Sequence, residues 1–221
     1  MLNSFEEKMN YLSNLSHDYK KIDYKTIEKL ASDFDPEIRC RCAEILALFP
    51  SEQAENILIQ LLDDPKDLVR ANACDSLYFS SSIDTLNKLM LKSTDSSPLV
   101  RGYAALSIAH VCTNVSDQSV NDRIITYFKT NFKKERDEWV KLAVLHALIL
   151  LGEKEYFPIF LQAIHDEDYR NRLFVLNSLE DLEISDCKTE IINHLKLQFK
   201  KETVGHIKSK IQTMLIHLES K

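Results

Sequence analysis

A short phrase recurs along this chain at a nearly constant interval: a branched apolar residue, a basic residue, and then apolar residues at helical spacing. The first three basic residues of the phrase follow one another at one fixed interval, and the same interval separates Lys141 from Arg172. A fixed period of roughly 30 residues, with helical patterning inside each unit, is typical of a stacked repeat array. The copies are Ile38-Arg39, Val69-Arg70, Val100-Arg101, Val140-Lys141, Asn171-Arg172 and the terminal Ile207-Lys208.

Each repeat unit is predicted to be a hairpin of two helices, named A and B. Small or apolar residues stand three and four positions after the basic residue, and a large apolar residue stands seven positions after it. These positions form one helix stripe that buries against neighbouring helices. Asp35-Pro36, Asp64-Pro65 and Ser97-Pro98 predict starts of A helices. Gly152 predicts a left-handed residue that ends one of them.

The phrases DPEIRCRCAEIL and DDPKDLVRANACDSL resemble the HEAT repeat in its short, PBS-lyase-like form. The resemblance covers roughly residues 35–221. It implies an all-α, right-handed α-solenoid of about five to six helix hairpins, with the B helices lining its concave side. Residues 1–34 are predicted to form an N-terminal helical cap, because terminal units of arrays are usually atypical. Residues 35–221 are predicted to form one continuous domain that ends in a C-terminal capping helix from about residue 200.

The resemblance also implies a structural role for the repeated arginine. In such arrays it tends to pair with an aspartate between helices of its own or the adjacent unit, so that a buried ladder forms. Aspartates recur at the matching interval, six positions before each arginine. The predicted ladder consists of Arg39, Arg70, Arg101, Asp33, Asp64 and Asp95.

The distribution of charge indicates the class of partner, and the use of cysteine indicates the cellular compartment. Residues 1–110 hold 12 Lys+Arg against 17 Asp+Glu, whereas residues 111–221 hold 16 against 17. The acidic first half favours a cationic partner over a polyanion. Five cysteines without a CxxC pair, several of them in small-residue slots of the repeat, predict packed thiols in a reducing compartment. With no apolar signal core and no membrane-length apolar run, the chain is predicted to be cytoplasmic.

The B helices carry the predicted partner-binding surface. Their outward positions form a mixed row of amides and other polar residues with apolar neighbours, which suits a protein or peptide partner better than a polyanion. The predicted contact residues are Gln60, Asn87, Lys88, Tyr127, Gln162, Asn193 and His194. An acidic face is predicted at Glu52, Glu55 and Asp63.

No catalytic motif stands out, and neither a cofactor nor a metal site is predicted. The histidines do not form a zinc-protease pair, and three scattered glycines form no phosphate-binding loop. An alternative reading draws on HEAT-like alkylpurine DNA glycosylases. Trp139 beside Asp137 and Glu138, near the basic Lys133, Lys134 and Arg136, would then be the DNA site. A third reading, a bilin-lyase subunit, follows from the repeat type alone.

The leading hypothesis is therefore a non-enzymatic scaffold or inhibitor that binds a protein through its B-helix face. In its sharper form, the chain neutralises a basic protein, as bacterial immunity proteins and antitoxins do. Nucleic acid and membrane partners are not expected. The glycosylase is the alternative from a different class, and it predicts salt-sensitive binding to duplex DNA.

Overall fold

The computed structural model describes residues 2, 4–15, 22–182 and 185–220 of the chain. Within these ranges every regular element is helical and no strand is formed, so the predicted all-α helical-repeat fold is confirmed. The α-helices are α1 Phe5–Leu15, α2 Tyr24–Leu30, α3 Pro36–Ala47, α4 Glu52–Leu61, α5 Asp67–Ser76, α6 Ile83–Lys92, α7 Pro98–Val115, α8 Gln118–Phe132, α9 Glu138–Leu150, α10 Phe157–Gln162, α11 Tyr169–Asp181, α12 Lys188–Lys201 and α13 Gly205–Glu219.

The helices alternate as the repeat phrase predicts. The A helices are α3, α5, α7, α9, α11 and α13, and each carries one copy of the phrase. The B helices α4, α6, α8, α10 and α12 lie between them in the chain. Three single-turn 3₁₀ helices, at residues 154–156, 163–165 and 185–187, flank α10 and precede α12.

The chain forms two compact units, residues 1–147 and 148–221, with the division inside α9. The first unit contains α1–α8 and most of α9, and the second contains α10–α13. The predicted division at residue 34 falls within the first unit, after α1 and α2. Residues 1, 3 and 16–21 of the predicted cap, and residues 183–184 and 221 of the predicted array, lie outside the described ranges.

The apolar residues of the phrase build the core of each unit. In the first unit Ile38, Val69 and Val100 are fully buried, and the large residues eight positions after them in the chain are equally buried. The small-residue slots of the A helices, such as Ala73 and Ala104, have no exposed surface either. Small side chains at these positions let neighbouring A helices approach closely, as α3, α5 and α7 do. The predicted core stripe is confirmed.

Capping residues account for most helix starts. Asp35 accepts a hydrogen bond from the backbone N–H of Glu37, and Pro36 is the first residue of α3. Ser51 caps α4 through the N–H of Ala54, and Ser82 caps α6 in the same way. These hydroxyls and carboxylates satisfy backbone donors that the helix itself leaves unpaired.

One predicted helix start is wrong. Asp64-Pro65 does not begin a helix, because α5 starts at Asp67 and its N-cap residue is Lys66, which makes no side-chain cap. Asp64 instead accepts from the backbone N–H of Lys66 and from the guanidinium of Arg39. Its carboxylate is engaged in the loop, so the helix begins later.

The basic residues Arg101 and Lys141 stand further apart than the other copies of the phrase, because the helices between them are longer. Helix α7 has 18 residues and α8 has 15, whereas α5 and α6 have 10 each. The additional residues between Arg101 and Trp139 therefore extend one hairpin by additional turns. Gly152, with φ of +99°, follows α9 in the left-handed conformation, as predicted.

Candidate functional site

A repeated ion pair joins successive loops of the first unit. The Nε and Nη2 atoms of Arg39 donate to the two carboxylate oxygens of Asp64 at 2.6 and 2.8 Å. Arg70 binds Asp95 in the same way, at 2.9 and 2.8 Å. In both cases the arginine lies on an A helix and the aspartate lies in the loop that follows the next B helix. Two parallel bonds from a planar guanidinium fix geometry as well as charge.

The third nitrogen of each guanidinium, Nη1, binds the loop that precedes the helix on which the arginine lies. Nη1 of Arg39 donates to the backbone carbonyl of Asp33 at 2.7 Å, and Nη1 of Arg70 donates to that of Asp64 at 2.8 Å. Each arginine therefore ties two successive loops together. We call this series of contacts the arginine ladder; it consists of Arg39–Asp64, Arg70–Asp95, Arg101–Glu135 and, in the second unit, Arg172–Glu202.

Burial and the neighbouring guanidinium shift the pKa of these carboxylates in opposite directions. Burial alone would raise the pKa of Asp64, but the hydrogen bonds from Arg39 and from the N–H of Lys66 outweigh it and lower the pKa. The same balance lowers the pKa of Asp95 and Glu135. The bond to Asp64 also raises the pKa of Arg39. All four groups are therefore held in their charged forms.

The structure assigns the ladder residues differently from the sequence pattern. The side chain of Asp33, six positions before Arg39, pairs with Lys8 of α1 at 2.6 Å, and only its carbonyl meets Arg39. Arg101 pairs with Glu135 rather than with an aspartate. The carboxylate that binds each guanidinium follows the arginine in the chain, in the next loop between repeats, and the sequence reasoning did not use that interval.

The exposed side of α4 and α6 carries a repeated set of polar residues. Its residues recur at the interval of the repeat: Gln53 with Asp84, Asn56 with Asn87, and Gln60 with Leu91. Leu91 keeps 72% of its surface exposed in the middle of these polar neighbours. We call this surface the α4–α6 face; it consists of Glu52, Gln53, Asn56, Gln60, Asp63, Asp84, Asn87, Leu91 and Thr94.

The three predicted acidic residues have different environments. Glu52 is exposed in the first turn of α4, and Asp63 is exposed while it pairs with Lys92 at 2.6 Å. Glu55 is turned inward: it accepts hydrogen bonds from the hydroxyls of Ser80 and Thr85 in the turn before α6 and at its start. Glu52 and Asp63 therefore belong to the α4–α6 face, whereas Glu55 links the two hairpins.

The predicted contact residues divide between the two units. Gln60 and Asn87 are exposed on the α4–α6 face, and Lys88 is half-buried beside Asp84, at 3.8 Å. The Tyr127 hydroxyl lies 2.5 Å from that of Ser93, where it joins α8 to the end of α6. In the second unit Gln162 and Asn193 are exposed, and His194 stacks on His165.

Trp139 packs against α7. A Cβ atom on Gly102 would lie 2.1 Å from the indole Nε1, so the indole occupies the space that a side chain there would need. Its ring centroid is 5.5 Å from that of Tyr103. Asp137 accepts from the N–H of Val140 at 3.2 Å, which places its carboxylate at the start of α9. Glu138 pairs with Lys141 at 2.8 Å. These contacts give the three residues of the glycosylase alternative structural roles.

The second unit contains a polar network that the sequence pattern does not predict. His194, His165, Gln198, Glu202 and Arg172 form one hydrogen-bonded series. The recurrence of Arg172 in the repeat phrase predicts a partner for it. The contact between the two histidines was not predictable from their spacing, because they are distant in the chain and each lies on a different helix.

Two further structural findings bear on function. In the part of the chain that the structure describes, three or more His, Cys, Asp or Glu side chains nowhere converge as a metal-binding group. Among the described helices, none is both long and apolar enough to cross a membrane. Cys40, Cys42, Cys74 and Cys112 are buried, which agrees with the predicted packing role, and Cys187 is half-buried.

Comparison with known proteins agrees with this architecture. Residues 25–109, which span α2 to most of α7, match the family model described as HEAT repeats. This part of the chain is therefore built from HEAT repeats. A search of curated proteins finds no match.

The solved structures that match the chain have low sequence identity to it. One is the complex of CpcE and CpcF of phycocyanin lyase from Nostoc sp. PCC7120, with 14% identity, coverage of 90% of this chain and 95% of that chain, and a TM-score of 0.49. Two engineered proteins have 15% identity each. The first covers 90% of this chain and 98% of its own with a TM-score of 0.43, and the second covers 91% and 100% with a TM-score of 0.42.

Proposed function

We propose that this chain is a non-enzymatic protein-binding module whose contact surface is the α4–α6 face and whose partner is a basic protein. The observation that carries the proposal is the composition of that face. It joins the exposed acids Glu52, Asp63 and Asp84 to a repeated pair of exposed amides, Asn56 and Asn87. Carboxylates steer and orient a cationic partner, and they contribute more to association rate and specificity than to affinity.

The exposed leucine gives this face a place for an apolar anchor. Leu91 follows Asp84 and Asn87 at helical spacing on α6, with 72% of its surface exposed. Protein interfaces combine a desolvated apolar centre with a polar rim. The amides of Asn56 and Asn87 each offer both donors and an acceptor, so they can hydrogen-bond backbone or side chains of a partner. The face therefore suits a segment that carries basic residues beside one apolar side chain.

The arginine ladder supports this use of the B helices. The pairs Arg39–Asp64 and Arg70–Asp95 fix the loops at the ends of α4 and α6. Because the ladder is satisfied within the chain, its charges are not available to a ligand, and the B helices are left as the exposed polar surface. A surface carried on rigid helices loses little conformational entropy on binding. In the sharper form of the proposal, the chain inhibits its basic partner, as immunity proteins and antitoxins do.

The first experiment identifies what touches Leu91. A photo-crosslinking amino acid placed at residue 91 is irradiated in lysate of the source organism after nuclease treatment, and crosslinked proteins are identified by mass spectrometry. A second probe at Glu28, which is exposed on α2 and outside the α4–α6 face, is the matched control. We expect one basic protein to crosslink at residue 91 and not at residue 28.

The purified partner then tests the role of charge. The double variant Glu52→Lys/Asp84→Lys should slow association at least tenfold at low salt, and Glu28→Lys should leave the rate within about twofold. Equal effects of the two charge changes, or a crosslinking pattern that is the same at residues 91 and 28, would overturn the proposal. Excision of alkylated bases from duplex DNA, lost in Trp139→Ala or Asp137→Asn, would support the glycosylase alternative instead.

A further inference from the structure

Two histidines of the second unit lie side by side with their ring nitrogens facing each other. His165 ends the 3₁₀ helix Ala163–His165, and His194 lies in the middle of α12. The rings are stacked with an interplanar angle of 25°, and Nε2 of His165 is 3.1 Å from Nδ1 of His194. Both side chains are half-buried. The pair is therefore ordered by its surroundings and is still reachable from solvent.

The tautomer of His165 follows from its hydrogen-bonded neighbours. Glu202 binds Arg172 through both oxygens, and the bond from Arg172, which outweighs burial, lowers the pKa of Glu202 to about 2. Because this carboxylate only accepts, Gln198 must donate to it through Nε2, at 3.0 Å. The Oε1 atom of Gln198 then accepts from His165 Nδ1 at 2.8 Å. With Nδ1 protonated, a neutral His165 carries its lone pair on Nε2, which faces His194.

This arrangement matches the support that metal-binding histidines have in proteins. A ligating imidazole usually donates its second ring N–H to an oxygen acceptor, which fixes both the tautomer and the ring orientation. Here Gln198 supplies that acceptor, and Gln198, Glu202 and Arg172 are each more than nine-tenths buried. The backbone N–H groups of Thr203 and Val204 hold Glu202 as well, at 3.1 and 2.9 Å. The series is satisfied on every side, so it holds His165 firmly.

We propose that His165 Nε2 and His194 Nδ1 together bind a divalent transition-metal ion such as Zn²⁺. Two nitrogen ligands with metal bonds of about 2.0–2.1 Å in a tetrahedral site lie roughly 3.3 Å apart, which is close to the 3.1 Å separation here. The ion replaces the hydrogen bond between the two nitrogens, and the rings turn so that both lone pairs point at it. Water completes the coordination, since the described side chains supply no third ligand. His194 binds as the tautomer protonated on Nε2, which it reaches without gaining or losing a proton.

The ligand chemistry selects the class of ion. Neutral imidazole favours Zn²⁺, Cu²⁺ and Ni²⁺ over Mg²⁺ and Ca²⁺, which prefer oxygen ligands. Glu190 lies one helical turn before His194 on α12, and its negative charge acts on the His194 ring. A nearby carboxylate increases the attraction for a cation without being a ligand itself.

Zinc titration of the untagged chain tests the site. Every protein carries Cys187→Ser, because Cys187 is the only cysteine that is not buried and a thiolate competes for Zn²⁺. Affinity is measured against a fluorescent zinc chelator. His165→Gln and His194→Gln should each weaken binding at least tenfold. The matched controls His206→Gln and His217→Gln, at exposed positions of α13, should leave it within about twofold.

A second measurement needs no change at the site. In imidazole ¹H–¹³C spectra, one equivalent of Zn²⁺ should shift the signals of His165 and His194 together and leave the other histidines unchanged.

Gln198→Leu, which removes the acceptor that orients His165, should weaken binding by about 10- to 100-fold while circular dichroism shows an intact helix content. Zinc affinity that survives both ligand substitutions, or spectra in which these two histidines do not move, would overturn the proposal.

Discussion

Arg39 and Asp64 meet through two parallel hydrogen bonds of 2.6 and 2.8 Å, with only 10% and 6% of their side chains exposed. The pair links α3 to the loop between α4 and α5. Because both charges are largely removed from water, each is stabilised by the other, and removal of one would leave the other buried without a counter-charge. The ion pair between Arg41 and Glu44, on the same helix α3, is more exposed, at 29% and 47%. The two arginines, which stand close together on one helix, form a natural comparison.

Removal of the Asp64 carboxylate should destabilise the first unit strongly. Asp64→Ala leaves the guanidinium of Arg39 buried without its counter-charge, so we expect a loss of roughly 3–5 kcal/mol in the free energy of unfolding. Glu44→Ala, which removes the partner of Arg41, should cost less than about 1 kcal/mol. Urea denaturation followed by circular dichroism measures both. Comparable losses in the two variants would show that the ladder pair is no more important than a surface pair.

Gly102 is required by the tryptophan beside it. Gly102→Ala places a methyl group 2.1 Å from Nε1 of Trp139, closer than atoms can approach, so the indole must move. Alanine is the better helix former by about 1 kcal/mol, yet we expect a net loss of about 1–3 kcal/mol from overpacking. The emission spectrum of the only tryptophan should change as well.

The control for this substitution is Gly205→Ala. Gly205 begins α13, and a Cβ built there meets no other part of the described chain within 4 Å, apart from its immediate neighbours and its own helix. The variant should therefore be as stable as the parent or slightly more stable. In the double variant Gly102→Ala/Trp139→Leu, the smaller side chain should remove most of the added loss. If Gly102→Ala alone proves stabilising, the close packing of Trp139 on α7 is wrong.

The repeat architecture was predictable because it depends on local periodicity. The phrase around Arg39 places buried residues at helical intervals. Because the phrase recurs, the structure of one repeat predicts that of the next. The pairing of the ladder was less predictable. Aspartates stand at fixed intervals both before and after Arg39 and Arg70, and the sequence alone does not say which carboxylate turns toward which guanidinium.

The functional surface was only partly predictable for a different reason. Glu52 and Glu55 lie in the same turn of one helix, yet Glu52 is exposed and Glu55 bonds to hydroxyls of the neighbouring hairpin. That distinction depends on where Ser80 and Thr85 lie in space. The His165–His194 pair shows the same limitation, because its two rings come from elements that periodicity places separately. Local pattern predicts which residues are buried, whereas contacts between hairpins decide what the half-buried polar residues do.

The cysteines should differ widely in reactivity. Burial raises the pKa of Cys42 to about 12 and that of Cys112 to about 11, and it raises the pKa of Cys74 as well. Few thiolates form at these positions at pH 8, and a thiol reagent such as iodoacetamide also has no access to them. Iodoacetamide should therefore label Cys187 roughly tenfold or more faster than these three, as read by peptide mass spectrometry. In urea the five thiols should react at similar rates; fast labelling of Cys74 in the native chain would contradict its burial.

His146 should make the stability of the first unit depend on pH. It is 6% exposed in α9, and burial, with a smaller contribution from His110, lowers its pKa from 6.5 to about 4. The unfolded chain therefore binds more protons than the folded chain between these two values. The contribution of this residue is fully favourable above about pH 6.5, and it is lost as the pH falls toward 4.

Comparison of variants isolates this effect from the carboxylates that titrate in the same range. We expect the unfolding free energy of the parent, minus that of His146→Gln, to fall by about 3 kcal/mol between pH 7 and pH 4. The corresponding difference for His217→Gln, an exposed position of α13, should change little. Urea denaturation at several pH values gives both differences. A flat difference for His146→Gln would mean that this imidazole is not held neutral by burial, because only a group whose pKa changes on folding links stability to pH.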